Sequence, residues 1–152
     1  MESTRNRLLA SVPALGDDNF DRTVVYMIDH DDSGAIGVVL NRSSDLEVPE
    51  ELDVGVPWAT PPLLFQGGPV SPEAVIMLGR RTIGREPRGV AAVGGTVAVV
   101  AAEAVHSHEV EGLDLLRAYT GYAGWGPLQL EAELEAGVWV VLDALPDDVF
   151  SA

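Results

Sequence analysis

The stretch TVVYMIDHDDSGAIGVVLN, Thr23 to Asn41, decides the fold. Thr23–Ile28 is an apolar, β-branched run, and Ala35–Asn41 is a second one. Between them, Asp29–Gly34 (DHDDSG) carries turn chemistry and ends in glycine. Two short apolar runs joined by such a turn form a β-hairpin, since neither is long enough for a buried helix. Outward from this hairpin, Leu8–Val12 reads as an extended segment ended by Pro13, and Asp17–Arg22 as a polar turn or a single turn of helix. Downstream, Ser43–Pro62 holds four prolines and five acids, which predicts a long surface excursion with room for a short helix. Leu63–Gly68 predicts a short strand ending in a glycine turn. Ala74–Arg81 predicts another strand, although Ser71-Pro72-Glu73 before it also suits a helix start. The runs GVAAV and TVAVVAA flank Gly94-Gly95 as a second hairpin, Glu103–Gly112 reads as a helix, and Leu113–Gly124 and Val138–Ala144 as strands. Roughly seven or eight strands and two or three short helices result, the strands meeting in hairpins rather than alternating with helices. The expected fold class is α+β: a single compact domain, 1–152, of coiled, mostly antiparallel sheets.

Composition narrows the chemistry. The chain has 152 residues, 47 % of them apolar and 22 % charged, which suits one globular domain. Nine basic residues, all arginine, oppose 24 acidic ones for a net charge of −15. Without lysine there is no Schiff base and no phosphate-loop lysine; without cysteine there is no disulfide and no thiolate. The acidity argues against direct binding of nucleic acid or of an anionic membrane. The one basic cluster, Arg80–Arg88, is four arginines against one glutamate; it reads as a solvated loop, with a nucleic-acid or acidic-partner patch as the alternative. The first residues are too broken for a secretory core, and the longest uncharged run, Gly89–Ala102, is too short for a membrane span, so a cytoplasmic protein is expected.

GYAGWGPLQLEAELEAG, Gly121 to Gly137, is a glycine- and aromatic-rich turn followed by a helix, with Gly126 as cap, Pro127 in the first helical position and Gly137 past the end. Leu130 and Leu134 form one ridge, and Gln129 with Glu133 falls in a gap beside it. If that arc is packed, Gln129 and Glu133 need internal partners, for which arginines are the obvious choice; alternatively they face a ligand. The glycines read as a tight corner under Trp125 or, less simply, as an anion-binding turn. Asp29, Asp31, Ser33 and Gly34 mimic half a calcium loop, but Leu40 stands in the twelfth position, so no metal is assigned. His106 and His108 lack a third convincing ligand.

Three stretches, in this order, resemble the AlgH/YqgE family: Leu8–Arg42, FQGGPV at Phe65–Val70, and GYAGWGPLQLEAELEAGVWVV at Gly121–Val141. The matching positions are Asp17, Phe20, Arg22 and Thr23; His30, Gly34, Gly37, Asn41 and Arg42; Gly67, Gly68 and Pro69; and Gly121, Tyr122, Gly124, Trp125, Gly126, Gln129, Leu130 and Glu133. The resemblance implies coiled, partly bifurcated β-sheets, a bacterial cytoplasmic setting, a proposed link to transcriptional control, and no agreed biochemical activity. It also implies a further helix bearing a tryptophan beyond Ala152; an apolar face left uncovered there would suit a homodimer. Asp18 stands where the family usually has proline. Leu128 stands where it usually has glycine, which favours an ordinary helix start.

From these residues the expected site is a ligand-binding one. Arg22, Asn41 and Arg42 would meet Gln129 and Glu133 near the Gly67-Gly68 turn and hold a small anion through guanidinium donors. The competing reading is a structural network in which Arg22 and Arg42 satisfy Asp17, Asp29 or Glu133. No catalytic residue, metal or cofactor is assigned. The expected function is non-enzymatic binding or regulation through a small anionic ligand or a protein partner. The alternative is a hydrolase or transferase that pairs His30 with Glu133 or Asp17.

Overall fold

A computed structural model describes residues 3–12, 23–145 and 147–151, so the Asp17–Arg22 segment lies outside the described residues. Strand β1 (Arg7–Ser11) precedes the hairpin of β2 (Val24–Asp31) and β3 (Gly34–Val39). The hairpin register sets His30 opposite Ala35 and Asp31 opposite Gly34. At its tip Asp31 accepts hydrogen bonds from the Ser33 hydroxyl and backbone N–H, which hold the Asp31 carboxyl below its ordinary pKa. The chain continues through β4 (Ser43–Glu47), a 3-10 turn (Glu50–Leu52), β5 (Leu63–Gln66), β6 (Val70–Arg81), β7 (Val90–Gly94) and β8 (Val97–Val100). It ends through α1 (Ala102–Ser107), β9 (Leu113–Trp125), α2 (Gln129–Glu135) and β10 (Trp139–Asp143).

The strand order is β10-β1-β2-β3-β9-β6-β8-β7, and β4 pairs with β5, which lies parallel to β9. The other strand pairings are antiparallel. The architecture is therefore mostly antiparallel β. The two α-helices of the described residues contribute only six and seven residues, so the helical half of the α+β expectation is thin.

Two local expectations change. Ser71-Pro72-Glu73 is part of β6 and not a helix start; the register with β9 slips between Val70 and Val75, and Ser71 bulges out at φ 46°. The proline-rich excursion contains strand β4, whose mostly exposed residues gave no apolar alternation to read.

Strand β9 holds the assembly together. Its first ten residues pair with β6, its end pairs Gly124 and Trp125 with Ile36 and Ala35 of β3, and between these β5 runs parallel to it at Tyr119 and Thr120. Apolar alternation buries Leu116, Ala118 and Tyr119 on its two faces. Among them sits Arg117, only 2 % exposed. Its Nη1 donates to the carbonyls of Val149 (3.1 Å) and Ser151 (2.8 Å), and its Nη2 to that of Thr60 (2.8 Å). The guanidinium carbon lies 4.3 Å from the centre of the Phe65 ring. Burial pulls the Arg117 pKa down from its ordinary value, and the carbonyls and ring replace the water the cation has lost. One side chain thereby ties the Thr60 loop and the 147–151 segment to β9. Replacing it as Arg117→Met is expected to lower the unfolding free energy by about 2–4 kcal/mol, because three carbonyls lose a charged donor. Urea denaturation of the two proteins checks this.

Candidate functional site

After Trp125 the chain turns through Gly126, Pro127 and Leu128 before α2 begins at Gln129, later than the Pro127 start expected from sequence. Leu128 is the reason. It takes the left-handed conformation, φ 62° and ψ 4°, with its side chain exposed. The leucine therefore does not give an ordinary helix start; it occupies a backbone geometry that glycine would adopt without strain. Gln129 compensates at the turn, its Oε1 accepting the Gly126 N–H at 2.9 Å.

The inner ridge of α2 is Leu130, fully buried, with Leu134 packed beside it. On one flank Glu133 is the acceptor for two indoles. Its Oε1 receives Trp125 Nε1–H at 2.9 Å and Trp139 Nε1–H at 2.8 Å, and its Oε2 receives Gln129 Nε2–H at 3.1 Å. The two rings meet edge to face at 5.9 Å. Indole donors, rather than the guanidinium groups expected from sequence, thus meet this carboxylate. They pin the end of β9 and the start of β10 to the helix. On the other flank Glu131 Oε1 lies 3.2 Å from His30 Nε2. His30 Nδ1 accepts the Thr4 backbone N–H at 2.9 Å, so the ring proton sits on Nε2 and is donated to Glu131. The carboxylate paired with His30 is therefore Glu131 and not Glu133, while Asp17 lies outside the described residues. Thr4 Oγ1 is also 3.0 Å from Nδ1, but Thr4 is buried and its own N–H already uses the Nδ1 lone pair, so the histidine does not activate that hydroxyl. The arrangement clamps the start of the chain, the hairpin tip and α2 together.

The remaining nominated residues gather at the end of β3. Asn41 Oδ1 accepts the Val24 N–H at 3.1 Å and lines an apolar cavity of about 470 Å³ with Leu8, Leu40 and Phe65. Arg42 Nη2 donates to Thr23 Oγ1 at 3.0 Å. Arg42, Val39, Gln66, Gly68 and Pro69 together line a cleft of about 150 Å³. Gly67 is inside this turn: its N–H donates to the Thr120 carbonyl and its own carbonyl accepts the Val39 N–H, both at 2.8 Å. A Cβ on Gly67 would overlap the Gly121 carbonyl oxygen, and one on Gly68 the Tyr122 backbone, so this crossing requires both glycines. Arg22 lies outside the described residues. Val39 joins the two regions, since it lines the Arg42 cleft and packs in the cluster of Leu130, Trp125 and Trp139.

Several residues of these sites were not singled out from sequence. Gln66 had a signal, its place directly before Gly67-Gly68. Thr4, Glu131 and Trp139 had none, because their partners are set by which strands lie side by side. The basic cluster is partly neutralised, Arg80 donating to Asp114 at 2.7 Å and to Asp147 at 3.1 Å, which raises its pKa.

A mostly antiparallel sheet with a glycine-pinched crossing and a tryptophan-carboxylate corner defines a class for which relatives are known. The chain belongs to the AlgH-like family (DUF179), whose sequence profile matches residues 8–152. It is 42 % identical to a UPF0301 protein of Streptomyces avermitilis, over 99 % of this chain and 81 % of that protein. The UPF0301 protein SCO2948 of Streptomyces coelicolor is 41 % identical over the same shares. Among solved structures, protein DIP2367 from Corynebacterium diphtheriae superposes with TM-score 0.83 at 28 % identity, covering 99 % of this chain and 81 % of that one. The solution structure of the AlgH protein from Pseudomonas aeruginosa superposes with TM-score 0.73 at 29 % identity, covering 97 % and 81 %. Among the described residues no helix is long and apolar enough to cross a membrane.

Relief of the left-handed leucine gives one expectation. Leu128→Gly should stabilise the fold by about 0.5–1 kcal/mol, the conformational strain removed exceeding the added chain entropy of glycine; a rise in melting temperature checks it. The Glu131 carboxyl gives another. Its own backbone N–H, and then His30, hold its pKa below the ordinary value. A depressed carboxyl contributes stability that is present in full above the ordinary glutamate pKa and lost as pH falls through the lowered folded value. Glu131→Gln should therefore be less stable than the parent at neutral pH, and the two should converge in acid, as read from unfolding curves across the pH range.

Proposed function

We propose that this chain is a non-enzymatic binding protein whose ligand is a small anion held at the Arg42 cleft. What supports the reading is one observation: Arg42 and Gln66 line a cleft of about 150 Å³ with Val39, Gly68 and Pro69, in a protein of net charge −15. A cation is placed there against the overall charge, and the volume suits an anion of phosphate size. The glycine pair lets the backbone come close, and arginine supplies planar fork donors. In this reading Arg22, one residue before Thr23 in the chain, is the second guanidinium. Asn41 holds the β2–β3 end through Val24. Gln129 and Glu133 act at a remove, by fixing the tryptophan corner that packs on Val39. A protein partner that responds to the filled cleft accords with the transcriptional link implied by the family resemblance, and a cytoplasmic setting with the chain's acidity.

Inorganic phosphate, titrated at constant ionic strength against chloride, is expected to raise the melting temperature of the parent as binding to the folded state demands. Arg42→Gln should fold and lose at least about nine-tenths of that shift. Absence of binding heat in the parent, or the same shift in the variant, would remove the site.

A further inference from the structure

Near the end of β9 the register sets Gly124 beside Ile36 of β3, and Ile36 beside Asp29 of β2. Asp31 stands beside Gly34, and Tyr122 beside Val70 of β6. Directly opposed residues of an antiparallel pair share a face, so these side chains lie on one side of the sheet and line a cleft of about 430 Å³. His30, between the two aspartates, points to the other face and to Glu131. Gly124 floors the cleft, and its neighbours give no reason for a glycine. Every other glycine within the described strands has an atom within 2.7 Å of where a Cβ would stand. A Cβ on Gly124 would meet nothing closer than 3.6 Å, on the Tyr122 ring, which is ordinary contact. A glycine inside a strand weakens it and marks a bulge or the close approach of another group. There is no bulge, since pairing with β3 is unbroken from Ala123 to Trp125. The approach left is from outside the chain.

Charge and shape select the occupant. Each aspartate has one oxygen held inside the hairpin, Asp29 by the His30 N–H and Asp31 by Ser33. Neither forms an ion pair among the described residues. Among the described residues no group of three or more histidine or acidic side chains could hold a metal ion, so the cation that fits here is organic. Two strand spacings, about 10 Å, separate Gly124 from Asp29. That path over glycine and Ile36 suits a long side chain with an apolar stem and a charged head. Asp29, Asp31 and Gly124 are exposed, so the cleft is too open to enclose a free small molecule and open enough for a side chain presented by another protein. A second copy carries the same charge of −15 and is repelled. Arginine suits the cleft better than lysine, because its planar head can bond both carboxylates. We infer that this cleft receives an arginine side chain of a partner protein, its stem over Gly124 between Ile36 and Tyr122 and its guanidinium against Asp29 and Asp31. The inference does not rest on the Arg42 cleft, with which this one shares no lining residue.

The full chain is titrated with an acetylated, amidated glycine-arginine-glycine peptide, and binding is read from the backbone amide NMR shifts of Ile36 and Gly124. The comparison peptide carries citrulline, which keeps the stem and drops the charge. Saturable shifts are expected with arginine, and binding at least about tenfold weaker with citrulline. Asp29→Asn with Asp31→Asn, which keep the acceptors used inside the hairpin, should weaken binding about tenfold. Asp45→Asn with Glu47→Gln, the same charge change on exposed positions of β4, should leave it within about twofold. Gly124→Ala should melt at or above the parent temperature, since its methyl meets only ordinary contacts, and should bind about fivefold more weakly because the floor is raised. No saturable binding to the parent, or equal binding of the citrulline peptide, overturns the inference. Equal loss in the two double variants would mean attraction by net charge alone and overturns it as well. So does a Gly124→Ala protein that melts lower, which would give the glycine a packing role, or one that binds as the parent does.

Discussion

Strand β9 has backbone donors and acceptors on two edges over thirteen residues, and three strands must share them. On one edge β6 accompanies it through the bulge at Ser71; on the other, β5 and β3 divide it. That division is possible only because β5 leaves β9 through Gly67 and Gly68, where the chain passes so close to Gly121 and Tyr122 that no side chain fits. The constraint is steric, and its consequences are long-range. It brings β4–β5 over one part of β9 and the β2–β3 hairpin over another, and it leaves Arg42 beside the crossing.

Around this frame a few buried or half-buried polar groups among the described residues each join separate elements. Arg117 collects carbonyls from the Thr60 loop and the 147–151 segment. Glu133 collects two indoles from β9 and β10. His30 joins Thr4 to Glu131. Charges placed this way lose hydration and are retained by several directed hydrogen bonds apiece, so they serve registry more than net stability. Burial likewise raises the pKa of Tyr119 and of Tyr26, whose hydroxyl donates to Asn6 at 2.6 Å, so both stay neutral within the sheet. The acidic excess is left to the surface, where it sets a negative field around the protein.

Much of the strand plan was legible in the sequence because its signals are local. The β2–β3 hairpin follows from two β-branched runs around DHDDSG, and the β7–β8 hairpin from valine runs around Gly94-Gly95. The start of α2 was misread because propensity assigns leucine to helices, whereas the tertiary position of Gln129 and Leu130 leaves Leu128 in a left-handed turn. Strand β4 escaped because its side chains are mostly exposed and only its pairing with β5 makes it a strand. At the candidate site, Arg42 and the glycine pair were nominated through the family resemblance. Gln66 had only its place before the glycine pair as a signal, and Val39 completes the cleft by spatial neighbourhood alone.

The sequence by itself determined the family, the β-rich character, the absence of lysine and cysteine chemistry and the acidic surface, since these depend on residue identity and short-range periodicity. Only the tertiary structure decided which carboxylate meets which donor. Glu131 and Glu133 are two residues apart on one short helix, yet one faces a histidine and the other two tryptophans. Rotation by about 200° along a helix separates such neighbours, and what each then meets depends on strands brought in from 100 residues away or from the next turn of chain, a matter of sheet order that no local pattern encodes.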